Sequence, residues 1–328
     1  MQLIDPTSSS SVETGTYLAL WLPTKAQAAL SSAWTLANSG FAIALLSALA
    51  GSFAGAYGAQ LIAERDAARR RALEELRATN AASSLAIFTV NALIALKRQH
   101  LRPLLQQYRT DRTRFIETIT SGRGGLFAYT ADWQIFPWTE VPTDALTELI
   151  FNRIDAAHPI TLINMLNGTI EHLRKTLKQR DDYVAQMLAR GAIPAPEAAA
   201  LYFGQRMPDG RQDSRYPDLL DAAENYVDSA ILFGTVLIER LIKHAEMAVE
   251  KMGKRAPHVI RANFAAPMDD GLIPAPGEYA EVLTNMGVDP TTALQSLRLD
   301  AEGRPLASGH RASLRRRFTS AKKRNAAL

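Results

Sequence analysis

Residues 26–63 carry no charged side chain, and the centre of that run, 41–62, is almost wholly apolar or small. As an α-helix the centre would be about 33 Å long, enough to cross a hydrocarbon core of roughly 30 Å. The run ends at Glu64-Arg65-Asp66, followed by Arg69, Arg70, Arg71 and Arg77, whereas residues 1–40 hold only Asp5, Glu13 and Lys25. By the positive-inside rule the long segment after the run is expected in the cytoplasm. Trp34 and Tyr57 stand near the two ends, where amphipathic rings suit the membrane interfaces. A buried helix of a soluble bundle is the alternative, because the run is rich in Ala and Gly. Its length without charge, and the Gly51-xxx-Gly55 spacing with Ala44 and Ala48 on a compatible face, favour a span able to pack closely against a second helix.

That single span sets a layout for all 328 residues. Residues 1–38 lack the basic start of a cleavable signal and are expected as a short non-cytoplasmic segment, with 39–63 as an uncleaved transmembrane helix. Residues 64–303 then form a cytoplasmic domain and 304–328 a basic, disordered tail. The fold class is all-α: one transmembrane helix, then a mostly helical bundle with irregular C-terminal segments wrapped around it.

Within 64–119, Leu73, Leu76, Ile87, Val90, Ile94, Leu101 and Leu104 approach a heptad seam that Asn80 and Ser83 interrupt. A second uncharged run, 79–96, contains Asn80, Ser83, Ser84, Thr89 and Asn91 and reads as a packed soluble helix. A second crossing there is the alternative and would reverse the side of everything downstream. Pro103 is expected to kink or divide the helix. The aromatic stretch 126–139 reads as core filling, and Thr143 or Asp144 as the cap of a helix over 146–154. Ile163, Leu166, Ile170, Leu173, Leu177 and Val184 alternate by three and four, leaving Glu171, Arg174, Lys178 and Asp182 to solvent, with Asp181-Asp182 as a solvated pair. Val227, Ile231, Gly234, Ile238, Leu241, Ala245, Ala248 and Met252 repeat the pattern, so the two helices are expected to pack antiparallel. Prolines and glycines break 253–303 into short wrapping elements.

Chemistry is sparse. With no cysteine, disulfides, thiolate metal sites and a cysteine nucleophile are excluded. The six histidines share no face or ligand spacing, so neither metal nor cofactor is expected. No phosphate-binding loop, nucleophile elbow or dinucleotide fingerprint occurs. Charge concentrates in two places. Arg206, Asp209, Arg211, Asp213, Arg215 and Asp218 form a candidate ligand loop, for which a plain charged surface is the bland reading. Residues 304–328 hold eight of the 37 Lys and Arg and none of the 33 Asp and Glu. Arg311, Arg315, Arg316, Arg317, Lys322, Lys323 and Arg324 there suit an anionic membrane leaflet better than nucleic acid, which would call for interleaved aromatics.

The segments GAYGAQLIAER at 55–65, ATNAA at 78–82 and LKRQH at 96–100, then Tyr202-Phe203-Gly204 with Asp213, Tyr216 and Asp218, resemble a group of bacterial single-pass inner-membrane proteins that carry no assigned activity. The resemblance implies placement in the inner membrane and transfers no catalytic residue. The function expected is a membrane-anchored, self-associating sensor, effector or scaffold rather than an enzyme. Its partners are membrane lipid and further copies of the chain, with another protein partner left open. The alternative is a membrane-tethered enzyme or small-ligand receptor with a pocket near residues 202–218.

Overall fold

In the computed structural model, which describes residues 35, 40–121, 129, 131, 133–191, 195–207, 209–252 and 256–299, regular structure is helical. No strand occurs among these residues, only an isolated bridge between Arg206 and Gln212. The helices are α1 (Gly40–Leu96), a π turn (Lys97–Leu101), α2 (Arg102–Thr120), α3 (Thr143–Arg153), α4 (Ala157–Ala189), α5 (Ala195–Phe203) and α6 (Arg215–Met252). Short α7 (Ala265–Asp269), a 3-10 turn (Pro276–Tyr279), α8 (Ala280–Asn285) and a second 3-10 turn (Gln295–Leu297) follow. Contacts divide the chain into two units, up to Arg70 and from Arg71 onward. The basic tail residues lie outside the described residues.

In the first unit, the described side chains of the apolar run face solvent. Leu45, Leu49, Phe53, Tyr57 and Ile62 are exposed, Phe53 by 73%. By length and composition, one helical run among the described residues, Ser47–Thr120, is apolar enough to cross a membrane, and half of its qualifying window is buried. Burial begins at Leu76, in the second unit, and continues through Ala82, Ala86, Val90 and Leu93. The uncharged run 79–96 is therefore a bundle helix with a dry face. Its hydroxyls turn inward onto the backbone, Thr79 to the Glu75 carbonyl (2.8 Å) and Thr89 to that of Leu85 (2.9 Å).

The second unit is a three-helix bundle of α1 with α2, α4 and α6. Arg180 pairs with Tyr216, His172 stacks on Tyr226, and Leu166 faces Gly234, so residue numbers fall along α4 as they rise along α6. The two helices run antiparallel, as their matching seams require. Glu75 with His244, Val90 with Gly234 and Lys97 with Asp228 give the same opposition between α1 and α6. The structure differs from a single apolar seam in one respect: residues 230–239 of α6 are buried on every side. α1 and α4 cover part of that surface and the C-terminal segments cover the rest, so α6 is the central helix.

Two helix starts also differ from expectation. The N-cap of α3 is Pro142, whose carbonyl accepts from Leu146 N–H (3.1 Å), and neither Thr143 nor Asp144 provides a side-chain cap. Proline meets the requirement through its fixed φ. Asp181 is not solvated like Asp182; it is half-buried and accepts from the Arg180 guanidinium at 2.9 Å.

Gly234 marks the tightest approach. A Cβ built there would lie 2.5 Å from Val90 Cγ2, with Leu166 Cδ1 at 3.7 Å. Gly234→Ala is expected to lower unfolding free energy by about 1–3 kcal/mol, the range for overpacking a filled core. Adding Val90→Ala should recover part of that loss, and a double-mutant cycle by urea denaturation checks it.

Candidate functional site

Pro103 has no N–H for the α-helical bond to residue 99, and the chain before it widens into a π turn in which Arg102 N–H bonds the Lys97 carbonyl. The expected division of the helix therefore occurs, and it supplies a constellation. Lys97, nearly buried, sits 2.5 Å from Asp228 Oδ1 and donates to the Leu272 carbonyl at 3.2 Å. Arg98 reaches Asp270 Oδ2 at 3.2 Å, and Arg102 donates to the Asp270 carbonyl at 3.0 Å. Three cations of one turn thus reach α6 and the C-terminal segments.

Beside this turn lies a cavity of about 630 Å³. Leu101, Leu105, Met268, Ile273, Pro274, Ala293 and Leu294 make its apolar walls, while Lys97, Arg102, Arg109, Glu224, Asp228, Glu278 and Arg298 bring charge to it. Arg109 is bidentate on Glu224, which holds its guanidinium above the ordinary value. The Asp228 carboxyl is raised above the usual range, first by burial and then by Glu224 and Glu278, against the pull of Lys97. Burial likewise raises the neighbouring Tyr279 hydroxyl, whose oxygen lies 3.5 Å from Ser229 Oγ.

The far wall of the cavity is anchored by buried Glu239. Its carboxylate accepts from Leu294 N–H (3.1 Å), Ser296 Oγ (3.0 Å) and Lys243 Nζ (3.0 Å). Leu294 has φ +67°, a conformation that leucine rarely adopts, and its amide is one of the groups Glu239 holds. Asn80, which interrupts the seam of α1, docks the same C-terminal region: its amide donates to the His258 carbonyl (2.9 Å) and accepts from Ile260 N–H (3.1 Å).

The six residues of the candidate ligand loop do not reach this cavity. They satisfy one another locally. Asp209 pairs with Arg211 and Asp213 with Arg215, each at 2.6 Å, which lowers both carboxyl pKa values. Arg206 donates to the Gly210 carbonyl and Asp218 accepts from Ser214. Gly204 fixes the loop's entry: at φ +69°, a Cβ there would stand 2.7 Å from Pro217 Cγ. Ala44, Ala48, Gly51 and Gly55 are exposed on α1, and a methyl added at either glycine meets nothing within 4 Å.

A second constellation surrounds Arg180, which is 1% exposed. Its guanidinium lies 4.6 Å from the Phe136 centroid and donates to the Gln134 carbonyl. Trp133 and Tyr129 pack on Tyr202, and Phe115 stacks on Phe203. This cluster is filled core, as the aromatic stretch suggested. Among the described residues no group of three His, Asp or Glu could hold a metal ion.

Compared with models of known families, with characterised proteins and with solved structures, the chain matches none.

Removing Lys97 alone would strand Asp228. Lys97→Met is expected to destabilise by about 2–3 kcal/mol at pH 7, low in the range for an orphaned buried charge because Asp228 keeps 23% of its side-chain surface. Without Lys97 the folded-state pKa of Asp228 rises further above its unfolded value. The penalty is thus full above that raised pKa and lifts as pH falls through it. Urea unfolding from pH 8 to 4.5 should show the gap to wild type narrowing with acid, and Lys97→Met with Asp228→Leu should close most of it.

Proposed function

We propose that the chain is a membrane-anchored helical protein, held in the bacterial inner membrane by one span within residues 39–63 with its bulk in the cytoplasm. It self-associates through that span and acts as a sensor, effector or scaffold rather than as an enzyme. The observation that carries the reading is the exposure of the apolar run. From Leu45 to Ile62 its large side chains have no partner surface of their own chain, whereas residues 76–94 of the same helix bury theirs. Such a surface calls for lipid or another helix. The glycines add a second reason. Gly in a helix interior costs about 1 kcal/mol relative to Ala, and at Gly51, Gly55 and Gly58 nothing within the chain requires so small a residue. Close approach of another copy would offset that cost.

Small-ligand reception is a second reading with a specific observation behind it. The observation is the cavity beside the π turn, since the self-paired loop at 202–218 lines no part of it. In that reading a ligand would act on the same helix that forms the span.

The protein should stay with membranes on carbonate extraction, and recovery in the soluble fraction would end the reading. Gly51→Ile with Gly55→Ile should reduce crosslinked oligomers severalfold without releasing the protein from membranes; unchanged crosslinking would exclude this face as the contact. The basic tail is proposed to contact anionic lipid, at about 1 kcal/mol for each Lys or Arg near the surface. A peptide of residues 304–328 should co-sediment with anionic vesicles at low salt and lose most binding at high salt or on neutral vesicles. Equal binding to both lipids would reject the contact.

A further inference from the structure

Seven charged side chains line the cavity beside the π turn, and most of them are neutralised in place. Lys97 pairs with Asp228, Arg109 with Glu224, and Arg298 with Asp269 at 2.9 Å. One residue of each sign is left. Among the described residues, neither Arg102 nor Glu278 has an ion-pair partner, although Arg102 donates one N–H to the Asp270 carbonyl. The two line the same cavity without pairing with each other. Between the charged groups the walls are apolar, formed by Leu101 and Leu105 from the helical side and Ile273 from the C-terminal segment. The volume of about 630 Å³ falls in the range of small-molecule sites, and such sites combine apolar walls with a few placed polar groups. A π turn at the floor is a further mark, because the widened turn is less stable than an α turn and recurs at functional sites.

We propose that this cavity binds a small zwitterion with an apolar body, of the ω-amino acid type, its carboxylate on Arg102 and its amine on Glu278. The methylenes between the charges lie on Leu101, Leu105 and Ile273. A ligand with one charge would leave the other cavity charge facing hydrocarbon in place of water, which disfavours it. Because the walls come from both the bundle and the C-terminal segment, occupancy also fastens that segment to the bundle. The site does not depend on membrane anchoring, so its test and the extraction test fail separately.

The probe is 6-aminohexanoate, titrated calorimetrically into the full chain, with hexanoate and hexylamine as the single-charge comparisons. Saturable binding of the zwitterion is expected, with each comparison at least about tenfold weaker, a factor of ten corresponding to 1.4 kcal/mol. Arg102→Ala should cost at least that factor for 6-aminohexanoate and leave hexylamine unchanged; Glu278→Ala should do the same and leave hexanoate unchanged. Both side chains are exposed, and unchanged far-UV circular dichroism verifies that the variants fold. Amide exchange across residues 293–298 should slow with 6-aminohexanoate bound. The proposal is overturned if 6-aminohexanoate gives no saturable heat up to about 10 mM, a limit near −3 kcal/mol. It is equally overturned if hexanoate or hexylamine binds as well, or if neither variant weakens binding.

Discussion

The contact of Val90 and Leu166 with the bare backbone of Gly234 sets how closely α1 and α4 can approach α6. With a side chain there the helices would separate or the core would strain, and the pairings along both interfaces would shift with them. His172 on Tyr226, Glu75 on His244 and Lys97 on Asp228 all depend on that spacing. The position of the cavity follows as well, since its floor is the turn that carries Lys97.

Buried polar groups have a common task in this bundle: each fastens a segment that lacks regular hydrogen bonds of its own. Arg180 holds the Gln134 carbonyl of the aromatic segment, and Lys97 holds the Leu272 carbonyl. Glu239 holds Leu294 and Ser296, and Asn80 holds His258 and Ile260. Irregular chain packed against helices must satisfy its amides and carbonyls somewhere, and the helices provide the partners. Taking a charge out of water for this purpose is expensive, so each such group carries more than one partner.

The helices and their antiparallel pairing were legible because period and length are local properties: Ile163 to Val184 and Val227 to Met252 carry matched apolar spacings. The tethers were less legible, although some left a trace. Lys97 continues the three-and-four spacing of Val90, Ile94, Leu101 and Leu104, and Arg180 falls between Leu177 and Val184 in the same way. A charge at a seam position signals a buried, partnered group. Asn80 was read only as an interruption, because its partners lie in a segment without periodicity. The cavity left no sequence signal: its walls come from α1, α2, α6 and the C-terminal segments, and only the folded chain brings them together. The charged loop was conspicuous for the opposite reason, since alternating Arg and Asp two residues apart pair with each other and need nothing else.

The two hydrogen bonds of Asn80 span 178 and 180 residues of sequence. At synthesis rates of 5–20 residues per second, the partners of Asn80 leave the ribosome about 10–35 s after it does. For that interval the dry face of residues 79–96 is complete but uncovered, and it is among the most apolar helical stretches of the described chain. A nascent α1 therefore presents two uncharged surfaces in succession, of which only the later one has a destination within its own chain. Holding that later surface until α6 emerges is a kinetic burden on whatever receives the growing polypeptide, and truncation before residue 234 would make the exposure permanent.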